Sequence, residues 1–256
     1  CDMEALMDIC NAHQVLVIED CAHTLGAKWN DTWSGRFGAF GCYSTQTYKH
    51  LNSGEGGFLV TDDPEAMAKA VMLSGSYMFY ERHLAGPPAH FFEDIKYMMP
   101  NISARMDHLR AAILRPQLQM LNELCSAWNR RYREIESGLR GTPGLQLIKR
   151  PKKELFVGSS IQFLLTGWSH EASSDLVKRC SARGVELKWF GAKEPKGFTS
   201  TYTSWQYAHH DRMPKSDEIL SKIMDIRIPL TFSLKDCADI SSIIRAEIKS
   251  IYQTFT

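Results

Sequence analysis

The chain has 256 residues, of which 44% are hydrophobic and 23% are charged, and its formal net charge is +1 at pH 7. This length allows one large domain, or a medium domain with a small one. A nearly neutral chain offers no basic surface for nucleic acid, and no apolar run approaches the ~20 residues that cross a bilayer. The composition therefore predicts a cytoplasmic globular protein with neither a nucleic-acid partner nor a membrane partner.

The seven cysteines are scattered along the chain, and no Cys-x-x-Cys pair occurs among them. Such spacing supports neither a zinc site nor a thioredoxin-like motif. We expect reduced thiols that mostly act as small buried side chains, and no metal site.

The first predicted elements are a helix over residues 2–13 and a buried strand over residues 14–19. Four consecutive aliphatic residues, Val15 to Ile18, fit a parallel strand that is covered on both faces. A helix that feeds such a strand is typical of the middle of an α/β domain. We therefore expect an N-terminal portion of the domain to precede Cys1.

A loop is predicted over residues 20–37, followed by strands over 38–44 and 57–61. Asp63-Pro64-Glu65 then begins a helix that runs to about Ser74, because Asp is a good N-cap and Pro is favoured in the first helical turn. Residues 75–100 show no clean period and predict a long loop, which is usually functional.

A long helix is predicted from about 105 to 139, with a kink at Pro116. The turn residues Gly141 to Gly144 predict a domain boundary near residue 145. Residues 1–145 would form part of a large domain with a mainly parallel sheet, and residues 146–256 a small C-terminal α/β domain. The elements predicted in the small domain are strands over 161–166, 185–189 and 226–230, helices over 170–183, 215–224 and 235–253, and a polar loop of about 25 residues after 189.

Lys49 is the strongest candidate for chemistry. It lies in a loop after a predicted strand, between Tyr48 and His50, and a Gly-Glu-Gly-Gly turn follows at Gly54. Such a lysine can bond covalently to pyridoxal 5'-phosphate (PLP) and later move protons, since burial and nearby cations lower an amine's pKa. We therefore predict that Lys49 is both catalytic and cofactor-binding.

Three other residues fit the remaining needs of a PLP site. Asp20 ends the first strand, where α/β sheets present ligand contacts, and an acid there would hold the pyridine nitrogen protonated. Ser44 offers a hydroxyl to the phosphate, and His23 lies beside the ring or its phenolic oxygen. Glu19 points to the opposite strand face and is predicted to be structural. The structural alternatives are a turn or N-cap role for Asp20, a turn role for Ser44, and a core or solvent-facing position for His23.

Together these residues resemble the DegT/StrS family of PLP-dependent sugar aminotransferases. The resemblance is strong over residues 15–60, moderate over 100–140 and looser beyond. The matching segments are Ile18-Glu19-Asp20-Cys21-Ala22-His23-Thr24-Leu25-Gly26-Ala27, Gly35-Arg36-Phe37-Gly38, Tyr43-Ser44 to Lys49, Ser53-Gly54-Glu55-Gly56-Gly57, and Arg105-Met106-Asp107.

The resemblance implies the α/β fold type I of PLP-dependent transferases and a homodimer with sites near the subunit interface. It implies that Lys49 is the Schiff-base lysine, Asp20 the pyridinium partner, His23 the residue beside the ring and Ser44 a phosphate ligand. Two departures bear on this. The family's Asn that reaches the neighbouring subunit's phosphate aligns with Ser103, with Asn101 as a possible substitute. The family's N-terminal segment, which carries other cofactor contacts, has no counterpart before Cys1.

The function that follows is transfer of an amino group from glutamate or glutamine to a keto-sugar or similar ketone. Family members with dehydratase activity carry His in place of the lysine, so Lys49 favours transamination. Two alternatives stay open, namely a non-catalytic regulatory or scaffold protein on an aminotransferase fold and a PLP-dependent sugar dehydratase. The sequence does not identify the acceptor or the donor.

Overall fold

The computed structural model describes residues 1–76, 80–194, 203, 205–207 and 209–255. The chain divides into two compact units. The first contains Cys1–Cys125 and Lys152–Val157, and the second contains Ser126–Pro151 and Gly158–Thr256. The division into a large and a small domain near residue 145 stays a prediction.

The first unit opens with the predicted helix, α1 (Met3–Ala12). The carboxylate of Asp2 caps it by accepting a hydrogen bond from the Ala5 backbone N–H at 3.1 Å. Strand β1 (Ile18–Asp20) follows and is shorter than predicted.

The prediction that this strand is buried on both faces is wrong for the structure. Val15, Leu16 and Ile18 are 55%, 80% and 66% exposed. The reason is topological, because β1 lies at the edge of a three-stranded sheet and pairs, within the described residues, with one strand only. The aliphatic run has the composition of a covered strand but lacks the neighbours that would cover it.

The other two strands of this sheet are β4 (Phe40–Ser44) and β5 (Gly57–Val60). β4 runs parallel to β1, and Asp20 pairs with Cys42, whereas β5 runs antiparallel to β4. The C-terminal ends of β1 and β4 therefore lie at the same edge of the sheet.

The predicted loop over 20–37 contains a short hairpin. Its strands, β2 (Lys28–Trp29) and β3 (Thr32–Trp33), form a second three-stranded sheet with β7 (Glu154–Leu155). Strands of two residues are too short to show a period of two, so the pattern predicted only a loop. Asn30 takes a positive φ of 51° at the turn, as hairpin turns of two residues require.

Helix α2 (Pro64–Ser74) agrees with its prediction. The Asp63 carboxylate caps it, and Gly75 ends it with φ of 100°. The segment that was predicted as a long loop contains a short 3-10 turn (Tyr80–Arg82) and a short helix, α3 (His90–Glu93). α3 packs on α2 around a small core, so this part is not a free loop; residues 77–79 lie outside the described residues. The core residues are Ala68, Met72, Phe92 and Ile95.

The predicted long helix is two helices, α4 (His108–Gln119) and α5 (Leu121–Leu139). They separate at Met120, four residues after Pro116. Pro116 lies inside α4, and the turn before it, which its ring crowds, stays helical, so the proline does not account for a break four residues later. α5 contributes residues to both units.

The second unit is built on an antiparallel sheet of order β6-β8-β10-β9. In β8, Ile161, Phe163 and Leu165 alternate into the core, which is the pattern of a half-buried strand. The polar loop predicted after residue 189 lies partly outside the described residues. The elements are β6 (Leu145–Leu147), β8 (Ser160–Leu165), α6 (His170–Ala182), β9 (Lys188–Trp189), α7 (Pro214–Leu220), β10 (Ile223–Arg227) and α8 (Leu234–Phe255).

The predicted strands and helices of this region occur with shifted ends, and β6 adds a strand that was not predicted. Across the described part of the chain, no helix combines the length and apolar character needed to span a bilayer.

Candidate active site

The strand pair β1–β4 presents two different faces. Paired residues of neighbouring strands point to the same side of a sheet, and successive residues alternate. Because Asp20 pairs with Cys42, the side chains of Asp20, Cys42 and Ser44 share one face, here called the Asp20 face. Glu19 and Tyr43 belong to the other, the Glu19 face.

A buried carboxylate organises the Glu19 face. Glu19 is 8% exposed and accepts backbone hydrogen bonds from Gly35 at 2.7 Å, Phe37 at 2.6 Å and Gly38 at 2.8 Å. An ionised carboxylate can remain buried when its oxygens are satisfied in this way. Glu19 therefore has the structural role that the sequence predicted for it.

The segment from Ser34 to Gly38 lies directly on β4. The Tyr43 hydroxyl donates to the Ser34 carbonyl at 2.5 Å, and burial raises the pKa of Tyr43 to about 12. A Cβ at Gly41 would lie 2.4 Å from the Gly35 carbonyl oxygen, so only glycine allows this approach. The Glu19 face is thus covered and tightly packed.

The Asp20 face carries two of the predicted cofactor ligands. Asp20 ends β1 with an exposed side chain, and its carboxylate accepts a hydrogen bond from the Ala22 backbone N–H at 3.0 Å. Ser44 ends β4, and its hydroxyl accepts from the Gln46 N–H at 3.2 Å. Both residues lie at the C-terminal ends of parallel strands, where α/β sheets bind ligands.

Lys49 lies in a loop closed by backbone hydrogen bonds, here called the lysine loop (residues 45–56). Thr45 donates to Gly56 at 2.9 Å, and Thr47 donates to Gly54 at 2.8 Å. Gly54 and Gly56 have φ of 88° and 122°, a conformation that glycine adopts without steric cost.

The side chains of Lys49 and His23 are in contact in the structure. The Lys49 Nζ atom is 2.7 Å from His23 Nε2. A lysine ammonium only donates hydrogen bonds, so a neutral His23 accepts with Nε2 and carries its own proton on Nδ1. Two of the four predicted site residues are therefore in direct contact, and the other two share a strand face.

His50 is a residue of this region whose part was not predicted. It is 4% exposed, and its Nδ1 atom is 2.8 Å from the Leu25 carbonyl oxygen. Burial lowers the pKa of His50, and the neighbouring His23 and Lys49 lower it further. Its position beside Lys49 was the only signal in the sequence.

Asn101 and Ser103, the alternative candidates for the partner subunit's phosphate, contact each other. The Asn101 side-chain oxygen accepts from the Ser103 N–H at 2.7 Å and from its hydroxyl at 3.3 Å. Ser103 has φ of 50°, a left-handed conformation that is uncommon for serine. Which of the two would reach a partner's cofactor stays a prediction.

A cleft of about 450 Å³ lies within the first unit, and Tyr43 of the Glu19 face is part of its wall. None of the four predicted site residues lines it. The lining residues are Leu25, Gly26, Trp33, Ser34, Gly35, Arg36, Gly38, Tyr43, Val60, Thr61, Asp62, Leu118, Gln119, Leu121 and Asn122.

The donor set at the carboxyl ends of β1 and β4 fits PLP chemically. It offers an amine in contact with an imidazole, a carboxylate whose position is fixed by a backbone N–H, and a hydroxyl on the same strand face as that carboxylate. These are the groups that can bond the aldehyde, hold the pyridine nitrogen protonated and bind the phosphate.

Residues 1–245 match the model of a protein family described as the DegT/DnrJ/EryC1/StrS aminotransferase family. A putative L-glutamine:3-amino-2,3-dideoxy-scyllo-inosose aminotransferase from Micromonospora echinospora is 51% identical over 73 residues, which are 28% of this chain and 18% of that protein. A protein of the same description from Streptoalloteichus tenebrarius is 32% identical over 206 residues, which are 79% of this chain and 47% of the relative. The chain thus spans less than half of either relative.

Solved structures with the same fold cover nearly the whole chain. The Helicobacter pylori aminotransferase PseC, described as involved in pseudaminic acid biosynthesis, superposes with a TM-score of 0.80 at 16% identity, over 98% of this chain and 64% of PseC. The aminotransferase TlmJ from Streptoalloteichus hindustanus gives 0.77 at 19% identity, over 97% of this chain and 62% of TlmJ. These likenesses confirm the predicted α/β fold type I.

Proposed function

The chain belongs to the DegT/DnrJ/EryC1/StrS aminotransferase family, and on this basis we propose that the protein is a PLP-dependent aminotransferase. We propose that it moves an amino group from glutamine or glutamate to a keto-sugar or a similar cyclic ketone. The observation that carries the proposal is the 2.7 Å contact between Lys49 Nζ and His23 Nε2, on the segments that follow the strand ends bearing Ser44 and Asp20.

Four residues would hold the cofactor. Lys49 would bond covalently to the aldehyde carbon, Asp20 would pair with the pyridine nitrogen, Ser44 would donate to the phosphate, and His23 would lie beside the ring. When bound, PLP supplies an electron-withdrawing ring that stabilises negative charge at the substrate's Cα. Asp20 strengthens this effect because a carboxylate keeps the ring nitrogen protonated.

Lys49 would also move the proton. With its amine free, Lys49 could remove the proton from Cα of the amino donor and deliver it to the cofactor carbon that had carried the aldehyde oxygen. For this the amine must be neutral. His23 Nε2, within hydrogen-bond distance of Nζ, can accept a proton from the ammonium and return it.

The names of relatives support the choice of substrates. Relatives are described as L-glutamine:scyllo-inosose aminotransferases or closely similar enzymes, which favours glutamine as donor and a cyclic polyhydroxy ketone as acceptor. We also propose that the protein acts as a cytoplasmic homodimer, which the family resemblance implies.

Covalent trapping tests the assignment of Lys49. Incubation with PLP should give a yellow chromophore, and borohydride reduction followed by peptide mapping should find the pyridoxyl group on Lys49. Lys49→Ala should lose the trapped adduct, while Lys49→Arg keeps the positive charge as a control and should lose it too. An adduct that persists in both variants would show that another residue bonds the cofactor.

Isotope transfer tests the reaction. With glutamine labelled at its α-nitrogen and scyllo-inosose, the label should appear in an amino-inositol. Loss of a hydroxyl from the acceptor without nitrogen gain would indicate a dehydratase. Absence of both PLP binding and turnover would favour the non-catalytic scaffold.

A further inference from the structure

Two hydrogen bonds join the lysine loop to the segment His23–Leu25. One is the contact of Lys49 with His23, and the other runs from the adjacent residue, His50, to the backbone carbonyl of Leu25 at 2.8 Å. The two segments are about 25 residues apart in the sequence. Neighbouring residues of one loop thus contact neighbouring residues of the other.

The partner of His50 fixes which nitrogen carries its proton. A carbonyl oxygen only accepts, so Nδ1 of His50 must be protonated and donate. His50 is also buried, which disfavours its charged form. The bond is therefore one between a neutral imidazole and a backbone atom, and it does not depend on the position of another flexible side chain.

Asn52, further along the lysine loop, is held by two hydrogen bonds to Gln117 of α4, and the His50 bond anchors the part that carries Lys49. Lysine has a flexible stem with several rotatable bonds, and ordering it costs conformational entropy. Tyr48, immediately before Lys49, is held at φ of 74° although its side chain is 73% exposed. A non-glycine residue persists in that region only where the surrounding structure fixes it.

We propose that His50 is a positioning residue whose bond to the Leu25 carbonyl holds the lysine loop against the His23 segment and so keeps Lys49 Nζ within reach of His23 Nε2. The tether is formed by two groups of the protein itself, the His50 side chain and the Leu25 carbonyl. The importance of this hydrogen bond for catalysis rests on the proposed function. Its importance for the position of the Lys49 side chain does not.

The first test measures the reactivity of Lys49 in the protein without PLP. Lys49 is acetylated at fixed pH, and the rate is read by mass spectrometry. Because the hydrogen bond to His23 stabilises the ammonium, His23→Leu should raise the rate by at least about three-fold. His50→Phe, which keeps ring volume but removes the donor, should also raise it, and adding His23→Leu to that variant should change little.

His50→Asn is the matched control. Its side-chain amide N–H lies near the position of Nδ1, so it should restore the parent rate and the full effect of His23→Leu. If His23→Leu acts equally in the parent and in His50→Phe, the tether does not position Lys49. If His50→Asn and His50→Phe behave alike, His50 acts only through packing. Either result overturns the proposal.

A second measurement needs no variant, so it decides the question even if His50→Phe does not fold. Nitrogen-15 chemical shifts of the parent's imidazoles should show His50 protonated on Nδ1, and the Nε2–H tautomer would overturn the proposal. Neither measurement uses PLP. A failure to bind PLP would therefore count against the proposed function alone.

Discussion

At the scale of single residues, β1 separates two carboxylates that are adjacent in the sequence. Glu19 is buried beneath three backbone donors, whereas Asp20 has an exposed side chain held by one N–H. The alternation of a strand is sufficient to give one acid a structural role and to leave the other available to a ligand.

Replacement of Glu19 by Gln should reduce the free energy of unfolding. The new amide group would point a donor at one of the backbone N–H groups that the carboxylate now satisfies, which costs about 1–3 kcal/mol for a buried group. Urea denaturation measures the loss. Asp20→Asn is the matched control and should change stability by less than about 0.5 kcal/mol, because its side chain is exposed. Equal losses of stability in the two variants would contradict the distinction between a buried Glu19 and an exposed Asp20.

His50 should make the protein sensitive to mild acid. Its pKa is lowered in the folded state, chiefly by burial and further by the neighbouring His23 and Lys49, so the unfolded chain binds the proton more tightly. Its contribution is complete above the unfolded pKa of about 6.5 and falls as the pH drops toward the lower folded value. The melting temperature of His50→Asn should therefore decline less than the parent's between about pH 7 and pH 5. If the melting temperatures of His50→Asn and the parent decline equally, this prediction is wrong.

The sequence predicted Lys49, Asp20, His23 and Ser44 as candidates because each lies at a strand end or in a loop with an informative spacing. It did not predict the bond of His50. The partner is a backbone carbonyl in a distant segment, and a backbone carbonyl leaves no signal in the sequence. The contact appears only when the two loops are folded together.

At the scale of elements, the most reliable predictions were those that depend on residues close together in the sequence. The start of α2 followed from Asp63-Pro64, because a capping interaction involves residues only two or three positions apart. The hairpin in residues 28–33 and the break at Met120 were missed. The two hairpin strands and the turn at Met120 are too short to show a periodic pattern. Whether they form depends on contacts with residues far along the chain.

Removal of the α2 cap gives an element-scale prediction. Asp63→Ala should lower stability by about 1 kcal/mol, because two backbone N–H groups lose their acceptor. Thermal unfolding measures the change. Asp62→Ala is the neighbouring control and removes only an exposed ion pair with Arg36, which should cost less than about 0.5 kcal/mol. A larger effect at Asp62 would contradict this assignment.

At the scale of the whole molecule, β1 is an edge strand with aliphatic side chains in solvent. Ile18 of β1 and, just before the strand, Val15 and Leu16 are all more than half exposed, and an aliphatic edge of this kind promotes association. The sequence predicted a strand over 14–19, of which the structure keeps only Ile18 and Glu19. It did not predict the exposure, because exposure depends on which strands lie beside this one.

A charge placed on this edge should reduce self-association of the 256-residue chain. Leu16→Lys should lower the concentration-dependent increase in sedimentation coefficient, because a charged group opposes strand addition. Leu84→Lys is the control, since Leu84 is fully exposed and belongs neither to β1 nor to the residues just before it. If both variants associate to the same extent as the parent, the β1 edge is not responsible.

The two faces of β1–β4 also have a consequence for engineering this protein. In these strands the even-numbered positions 20, 42 and 44 lie on the Asp20 face, which carries candidate site residues. The odd-numbered positions 19, 41 and 43 lie on the Glu19 face, which is tightly packed. A mutant library restricted to even positions would sample new reactivity while leaving the scaffold intact. One restricted to odd positions would sample thermal tolerance, so the two properties could be optimised in separate rounds.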